Sequence, residues 1–248
     1  VNWLASLLVA PHPLPKLDFS EGIPPASRTL VVVPTMLTSA AGIDSLIEAL
    51  EVRFLANRDP NLHFALLTDF LDAGQETQPE DAALMQLAAE KIDDLNFKFG
   101  QNFRLTVGEA AQPPAGSIFF LFHRPRRWNP QERVWMGYER KRGKLADLNA
   151  LLMNGTRDGF SLIAGDTTAL AGTRYVITLD TDTQLPRDTA RQFVGTMSHP
   201  LNRPSFDETQ QRVVSGYGIL QPRVAVSLPG TNRSLLARLY GGEPGIDP

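Results

Sequence analysis

The sequence predicts an α/β fold, a mostly parallel sheet with helices packed on both of its faces. Short runs of β-branched, leucine and phenylalanine residues alternate with longer stretches whose apolar residues recur every three or four positions. That alternation is what repeated β–α–β units produce, and their right-handed crossovers place helices against the sheet. Size and composition agree: 248 residues, 42% hydrophobic and 21% charged, suit a chain that buries roughly 70% of its unfolded surface. They exclude collagen-like, coiled-coil and wholly disordered classes.

Leu30-Val31-Val32-Val33, closed by Pro34, reads as the first buried strand, and Ile43, Ile47, Leu50 and Phe54 as the face of a helix packed on it. His63-Phe64-Ala65-Leu66-Leu67 makes the second strand, and Leu84, Ala88, Ile92, Leu95 and Phe99 the apolar stripe of the second helix. Residues 118–122 form a third strand, 145–153 a third helix, Phe160-Ser161-Leu162-Ile163 a fourth strand and 174–179 a fifth. No internal repeat, low-complexity tract or interior linker interrupts the series. One domain is therefore expected over residues 28–248, preceded by an arm or linker over 1–27.

Both ends read as cut from something longer. Val1 to Ala10 form a largely apolar decapeptide that enters the proline-rich Pro11-His12-Pro13-Leu14-Pro15, either an ordinary apolar arm or the tail of a segment leaving a membrane. The chain stops in Gly241-Gly242-Glu243-Pro244-Gly245-Ile246-Asp247-Pro248, which is loop chemistry, so the domain is expected to be truncated there. No run of 18 apolar residues exists to span a bilayer. The absence of cysteine excludes disulfides, thiolate zinc sites and a cysteine nucleophile.

Charge is concentrated. Between Arg124 and Lys144 eight Lys/Arg face two acids, a local +6 within a total of −3, so the remainder sums to −9. Such a block is a solvated helix face, a nucleic-acid patch, a membrane-facing surface or a polyphosphate site. The acidic remainder and the lack of RNA-binding aromatic motifs argue against nucleic acid.

Ligands of open α/β sheets bind beyond the carboxyl ends of the strands. After the second strand comes Thr68-Asp69-Phe70-Leu71-Asp72, and after Tyr175-Val176-Ile177-Thr178-Leu179 comes Asp180-Thr181-Asp182-Thr183. Two carboxylates delivered by a strand into that crevice suit Mg²⁺ or Mn²⁺ bridging a diphosphate. The plainer alternative is that Asp182 or Thr183 opens a helix near Pro186. Haloacid-dehalogenase-like phosphatases also use a strand followed by D-x-D-x-T. They carry it on the first strand and need a later Lys, whereas the 66 residues after Asp182 contain none.

Four ordered segments resemble nucleotide-sugar glycosyltransferases of the GT-A type. Val31-Val32-Val33-Pro34-Thr35 resembles the V-V-P-x-Y-N opening of processive family-two enzymes, and Thr68-Asp69 their uridine-binding Asp. Arg142-Gly143-Lys144-Leu145-Ala146-Asp147-Leu148-Asn149 resembles their K-A-G-x-L-N segment, and Gly218-Ile219-Leu220-Gln221-Pro222-Arg223 their V-Q-x-P stretch. Longer stretches narrow the likeness, among them Leu62-His63-Phe64-Ala65-Leu66-Leu67-Thr68-Asp69-Phe70, His123-Arg124-Pro125-Arg126-Arg127-Trp128-Asn129 and Trp135-Met136-Gly137-Tyr138-Glu139-Arg140-Lys141-Arg142-Gly143-Lys144. These are similar to the glucosyltransferase region of cyclic β-1,2-glucan synthases, large inner-membrane proteins whose cytoplasmic region elongates a β-1,2-glucan from UDP-glucose.

The resemblance implies a GT-A, Rossmann-like α/β fold and a metal-dependent, inverting transfer of glucose from UDP-glucose to a β-1,2-glucan acceptor. Asp180 and Asp182 would hold Mg²⁺ or Mn²⁺ and the donor diphosphate, Lys144 would meet the phosphates, and Thr35 and Asp69 would face the uridine. Asp72 joins the donor-binding set. The remaining domains of the parent synthase are the implied partners, and the membrane enters only through that parent, on the cytoplasmic side of the bacterial inner membrane. An inverting enzyme needs a carboxylate to deprotonate the acceptor, but the T-E-D-like and Q-x-x-R-W motifs are absent, and Thr38 stands where an acid is common. Asp188, Asp207, Glu208, Glu243 and Asp247 follow Asp182 in the wrong context, so the base is expected outside the chain. That departure supports a second expectation, a nucleotide-sugar-binding or scaffold module without turnover.

Other residues carry two readings each. Trp128 and Trp135 either stack on glucose rings or pack, and Gln221 either touches acceptor sugar or serves a sheet edge. Arg124, Arg126 and Arg127 meet an anion, or are solvated or ion-paired within the protein. His63, His123 and His199 lack metal-ligand spacing and read as satisfied structural histidines. Gly216 and Gly218 mark a bulge or a close backbone approach.

Overall fold

The computed structural model describes residues 13–100 and 116–222. They contain the expected α/β architecture, with four α-helices and a five-stranded sheet. In chain order the elements are β1 (Thr29–Leu37), α1 (Ala40–Ala56), β2 (Leu62–Phe70), α2 (Asp81–Gly100), β3 (Phe119–His123), β4 (Arg127–Asn129), β5 (Val134–Met136), α3 (Arg140–Asn154), β6 (Leu162–Ala164), β7 (Tyr175–Thr178), α4 (Thr189–Ser198), β8 (Ser205–Asp207) and β9 (Arg212–Ser215). The main sheet runs β6-β3-β2-β1-β7, parallel except for β6 at one edge.

Strand periodicity sorts side chains to two faces. Val31, Val33, Phe64, Leu66, Phe119 and Leu121 pack on one face against Ile43, Ile47, Leu50 and Phe54 of α1, Ala88, Ile92, Leu95 and Phe99 of α2, and Ala190 and Val194 of α4. Phe54 meets Phe99 and Phe119 edge-on at ring distances of 4.9 and 5.1 Å, tying both helices to β3. The opposite face, with Leu30, Val32, Ala65, Leu67, Phe120 and Phe122, is covered by Leu148 and Leu151 of α3 and by Ala169 and Leu170 of a short 3₁₀ turn.

Several boundaries differ from the sequence reading for physical reasons. Pro34 does not close β1, which runs on to Leu37. The Leu179 N–H donates to the Val32 carbonyl at 3.0 Å, so residue 32 and, two positions on, residue 34 face β7. β7 ends at Thr178, opposite Val32, and the N–H that Pro34 lacks has no ladder partner to lose. β2 is buried at all nine positions and carries Asp69 inside the strand. α3 starts a turn earlier than its apolar stripe, because Arg140, Lys141 and Arg142 are exposed; it ends at Gly155, in the left-handed conformation at φ 71°. Neither Asp182 nor Thr183 opens α4, which begins at Thr189 with its Ala190 N–H donating to Oδ1 of Asn57, the residue that caps α1, at 3.1 Å.

Two compact units divide the chain, Asp18–Gly195 and a second unit of Val1–Leu17 with Thr196–Pro248. The first holds the main sheet and the β4–β5 hairpin. Within the second, β8 and β9 form an antiparallel hairpin with an irregularity between Ser205 and Phe206. Gly216 makes a close backbone approach there, because a Cβ would fall on the Arg203 carbonyl. Of the expected arm over 1–27, residues 1–12 lie outside the described residues, as does the C-terminal stretch from 223. No helix among the described residues is long and apolar enough to cross a membrane.

Candidate functional site

The chain runs outward from β1 to β2 and β3, then returns to the other side of β1 as β7. Between β1 and β7 the strand order reverses, and open α/β sheets bind their ligands beyond the carboxyl ends at such a reversal. Asp180 and Asp182 leave the sheet at that point, both exposed to solvent. Their turn is tight, with the Thr183 N–H donating to the Asp180 carbonyl at 3.1 Å.

A residue missed by the sequence reading holds the turn. Arg53 of α1 is buried, and its Nη2 donates to the carbonyls of Asp180, Thr181 and Thr183 at 3.3, 2.8 and 2.9 Å, with Nε adding 3.2 Å to Thr183. Burial lowers the Arg53 pKa, and the Asp182 charge opposes that shift. With its carbonyls drawn to one guanidinium, the turn leaves both carboxylates outward. Asn57, the residue that caps α1, holds the next segment by donating to the Leu185 carbonyl at 3.1 Å. The available signal was a cation beside Leu50 and Phe54 on the apolar stripe of α1.

The floor of the same strand ends is a buried ionic cluster. Asp69 and Lys144 are 2% and 5% exposed. Lys144 Nζ lies 2.7 Å from Asp69 Oδ1 and donates to the Thr35 carbonyl. Arg124 pairs with Asp69 at 3.3 Å and Asp147 at 2.8 Å, and donates to the Tyr138 carbonyl at 2.9 Å. Two acids thus meet two cations, which offsets the large cost of removing Asp69, Arg124 and Lys144 from water, while Asp147 keeps part of its solvent contact. Burial lowers the Lys144 pKa, against the raising effect of Asp69. Glycine permits this packing: a Cβ on Gly137 would fall on the Asp69 carboxylate, and one on Gly143 on the Tyr138 carbonyl.

At the rim the basic block meets the acids. Lys141 Nζ lies 2.5 Å from Asp180 Oδ1, Arg140 pairs with Asp72 at 2.7 Å, and Arg142 pairs with Glu139. The structure thus brings Thr35, Asp69 and Lys144 into one cluster, and links Asp180 and Asp72 to neighbouring residues of α3. Arg126 takes the ion-paired role, 2.5 Å from Asp81, with its guanidinium 4.7 Å from the Phe70 ring centroid. Arg127 is exposed on β4.

Trp128 is 45% exposed and packs against Trp135 across the β4–β5 pair at 5.9 Å. The hairpin is tied to the residue after Asp72 by two hydrogen bonds of 2.9 Å between Ala73 and Trp135. Gln221 is exposed and belongs to the second unit. His63 is a satisfied structural histidine, with Nδ1 donating to the Ser117 carbonyl at 3.1 Å. The reading of His123 needs correction: Nδ1 meets Thr68 Oγ1 at 2.8 Å, but the buried Nε2 has no partner among the described residues. Burial pushes the pKa of each down to about 4.

Among the described residues no cluster of three or more His, Cys, Asp or Glu could cage a metal ion. The exposed pair Asp180 and Asp182 is a hard oxygen donor set of the kind that holds Mg²⁺ or Mn²⁺ when substrate phosphates supply further oxygens, so the residues fit such an ion.

No family model matches the chain. It is 40% identical over all 248 residues to the cyclic beta-(1,2)-glucan synthase NdvB of Rhizobium meliloti (strain 1021) and spans 8% of that protein's length.

Proposed function

We propose that this chain, related over its whole length to one segment of a cyclic β-1,2-glucan synthase, is the donor-binding part of a glucosyltransferase built on a GT-A version of the α/β fold. The observation that carries the reading is the placement of Asp180 and Asp182, two exposed carboxylates at the reversal between β1 and β7. Bound there, Mg²⁺ or Mn²⁺ supplies positive charge to the donor diphosphate and to the departing UDP. Asp180 and Asp182 offer the oxygens, and Arg53 fixes their turn. Thr35, Asp69 and Lys144 form the floor beneath the nucleotide, with Asp72 at the rim. Trp128 offers an exposed aromatic face to acceptor sugar.

The donor is UDP-glucose, and a 2-hydroxyl of the β-1,2-glucan attacks opposite the leaving UDP, inverting the anomeric centre. The chain works within a longer synthase on the cytoplasmic side of the bacterial inner membrane, with that protein's other domains as partners. The glucan synthase relationship favours transfer over phosphatase chemistry. One observation favours binding without turnover as a second reading: two acids after residue 182 are engaged with neighbouring residues. Asp188 pairs with Arg187 and Arg191, and Asp207 accepts the Thr209 and Gln210 N–H groups at 2.8 and 3.0 Å.

Saturation-transfer NMR with UDP-glucose tests the reading. Uridine and glucose protons should receive saturation with Mg²⁺ present and lose it on chelation. Equal transfer to GDP-mannose, or transfer indifferent to chelator, contradicts it.

A further inference from the structure

We propose that Lys141 is an exchangeable counter-ion of the site, resting on Asp180 until a divalent cation takes its place and then pairing with the donor diphosphate. The inference rests on reading Asp180 and Asp182 as cation ligands, and adds Lys141 to them.

The cations of the α3 amino end differ in their freedom to move. Lys144 is buried between Asp69 and the Thr35 carbonyl, and leaving would strip Asp69 of its 2.7 Å partner inside the protein. Arg140 is held by Asp72 and Arg142 by Glu139. Arg53, on the other side of the turn, is committed to three backbone carbonyls. Lys141 alone among these is paired to a carboxylate of the D-x-D turn, at 2.5 Å, and both side chains are more than half exposed. Exposed pairs contribute little, because water and salt screen them, so a divalent ion competes readily for Asp180. Once displaced, an ammonium on a flexible four-carbon stem remains within reach of whatever anion that ion holds.

The proposal has two consequences of opposite sign. Removing Lys141 frees Asp180 for the metal but takes a cation from the diphosphate. Mn²⁺ binding without nucleotide, read by electron paramagnetic resonance, and UDP binding at saturating Mn²⁺, read by calorimetry, are compared for the native chain, Lys141→Met, Lys141→Arg and the Asp180→Ala plus Asp182→Ala double variant. Lys141→Met should bind Mn²⁺ about two- to fivefold tighter and UDP about tenfold more weakly, while Lys141→Arg stays near native in both. Unchanged or weaker Mn²⁺ binding by Lys141→Met, or unchanged UDP binding, overturns the proposal. If the double variant loses UDP while Lys141→Met behaves as native, only the role of Lys141 falls. If the native chain binds neither Mn²⁺ nor UDP, the reading of the two aspartates falls with it.

Discussion

Arg53 Nη2 lies 2.9 Å from the carbonyl oxygen of Thr183, joining α1 to the turn that carries the two candidate metal carboxylates. Its side chain has no aqueous alternative, being 5% exposed. Arg53→Met keeps the volume and removes four hydrogen bonds, leaving the carbonyls of Asp180, Thr181 and Thr183 without that donor. We expect about 2–3 kcal/mol of lost stability in urea unfolding and weaker Mn²⁺ binding, because the carboxylates no longer sit on a fixed turn.

The Asp69–Lys144 pair predicts strong coupling. Asp69→Asn leaves the buried Lys144 facing a neutral partner, Lys144→Met leaves the buried Asp69 with Arg124 alone, and each should cost about 3–5 kcal/mol. The double variant removes both charges and should cost clearly less than the sum. A double-mutant cycle by chemical denaturation measures this, and additive losses would show that the two side chains do not act as a pair.

Gly137 is predicted to be intolerant of even a methyl group. In Gly137→Ala the Cβ occupies the place of the Asp69 carboxylate, so either the chain after β5 or Asp69 must shift. A loss of about 1–3 kcal/mol follows from overpacking, read as a lowered Tm. Gly74, around which a Cβ meets nothing within 4 Å, is the control position.

Stability should fall with acid before the carboxylates titrate. His63 and His123 are buried with pKa values of about 4, against an ordinary 6.5. The unfolded chain therefore binds protons that the folded one refuses. The stabilisation is fully present above pH 6.5, is lost as pH falls towards 4, and amounts to about 3 kcal/mol per histidine at full extent. Urea midpoints between pH 6.5 and 5 should fall in the native chain and be flatter in a His63→Asn, His123→Asn variant.

Much of the fold was legible because the relevant signals are local. The run at Val31, the aromatic block at Phe119 and the stripe from Ile43 to Phe54 mark buried strands and a helix by period alone. The β4–β5 and β8–β9 hairpins were not legible, since three- and four-residue strands with exposed positions carry little periodicity. At the site, Asp180, Asp182 and Asp69 stood out by their place after apolar runs. Their partners did not: Arg53 and Lys141 lie 127 and 39 positions from Asp180, and only the return of β7 beside β1 brings these segments together. The depth of Lys144 was hidden too, because its burial depends on Asp69 and on the glycines at 137 and 143.

In the proposed function Asp180 and Asp182 hold a divalent ion that holds a nucleoside diphosphate. Calorimetric titration of UDP into the native chain and into the Asp180→Ala plus Asp182→Ala variant, each with Mn²⁺ and with chelator, tests it directly. UDP binding should need Mn²⁺ and be lost in the double variant. UDP binding that survives both chelation and the double substitution would contradict it.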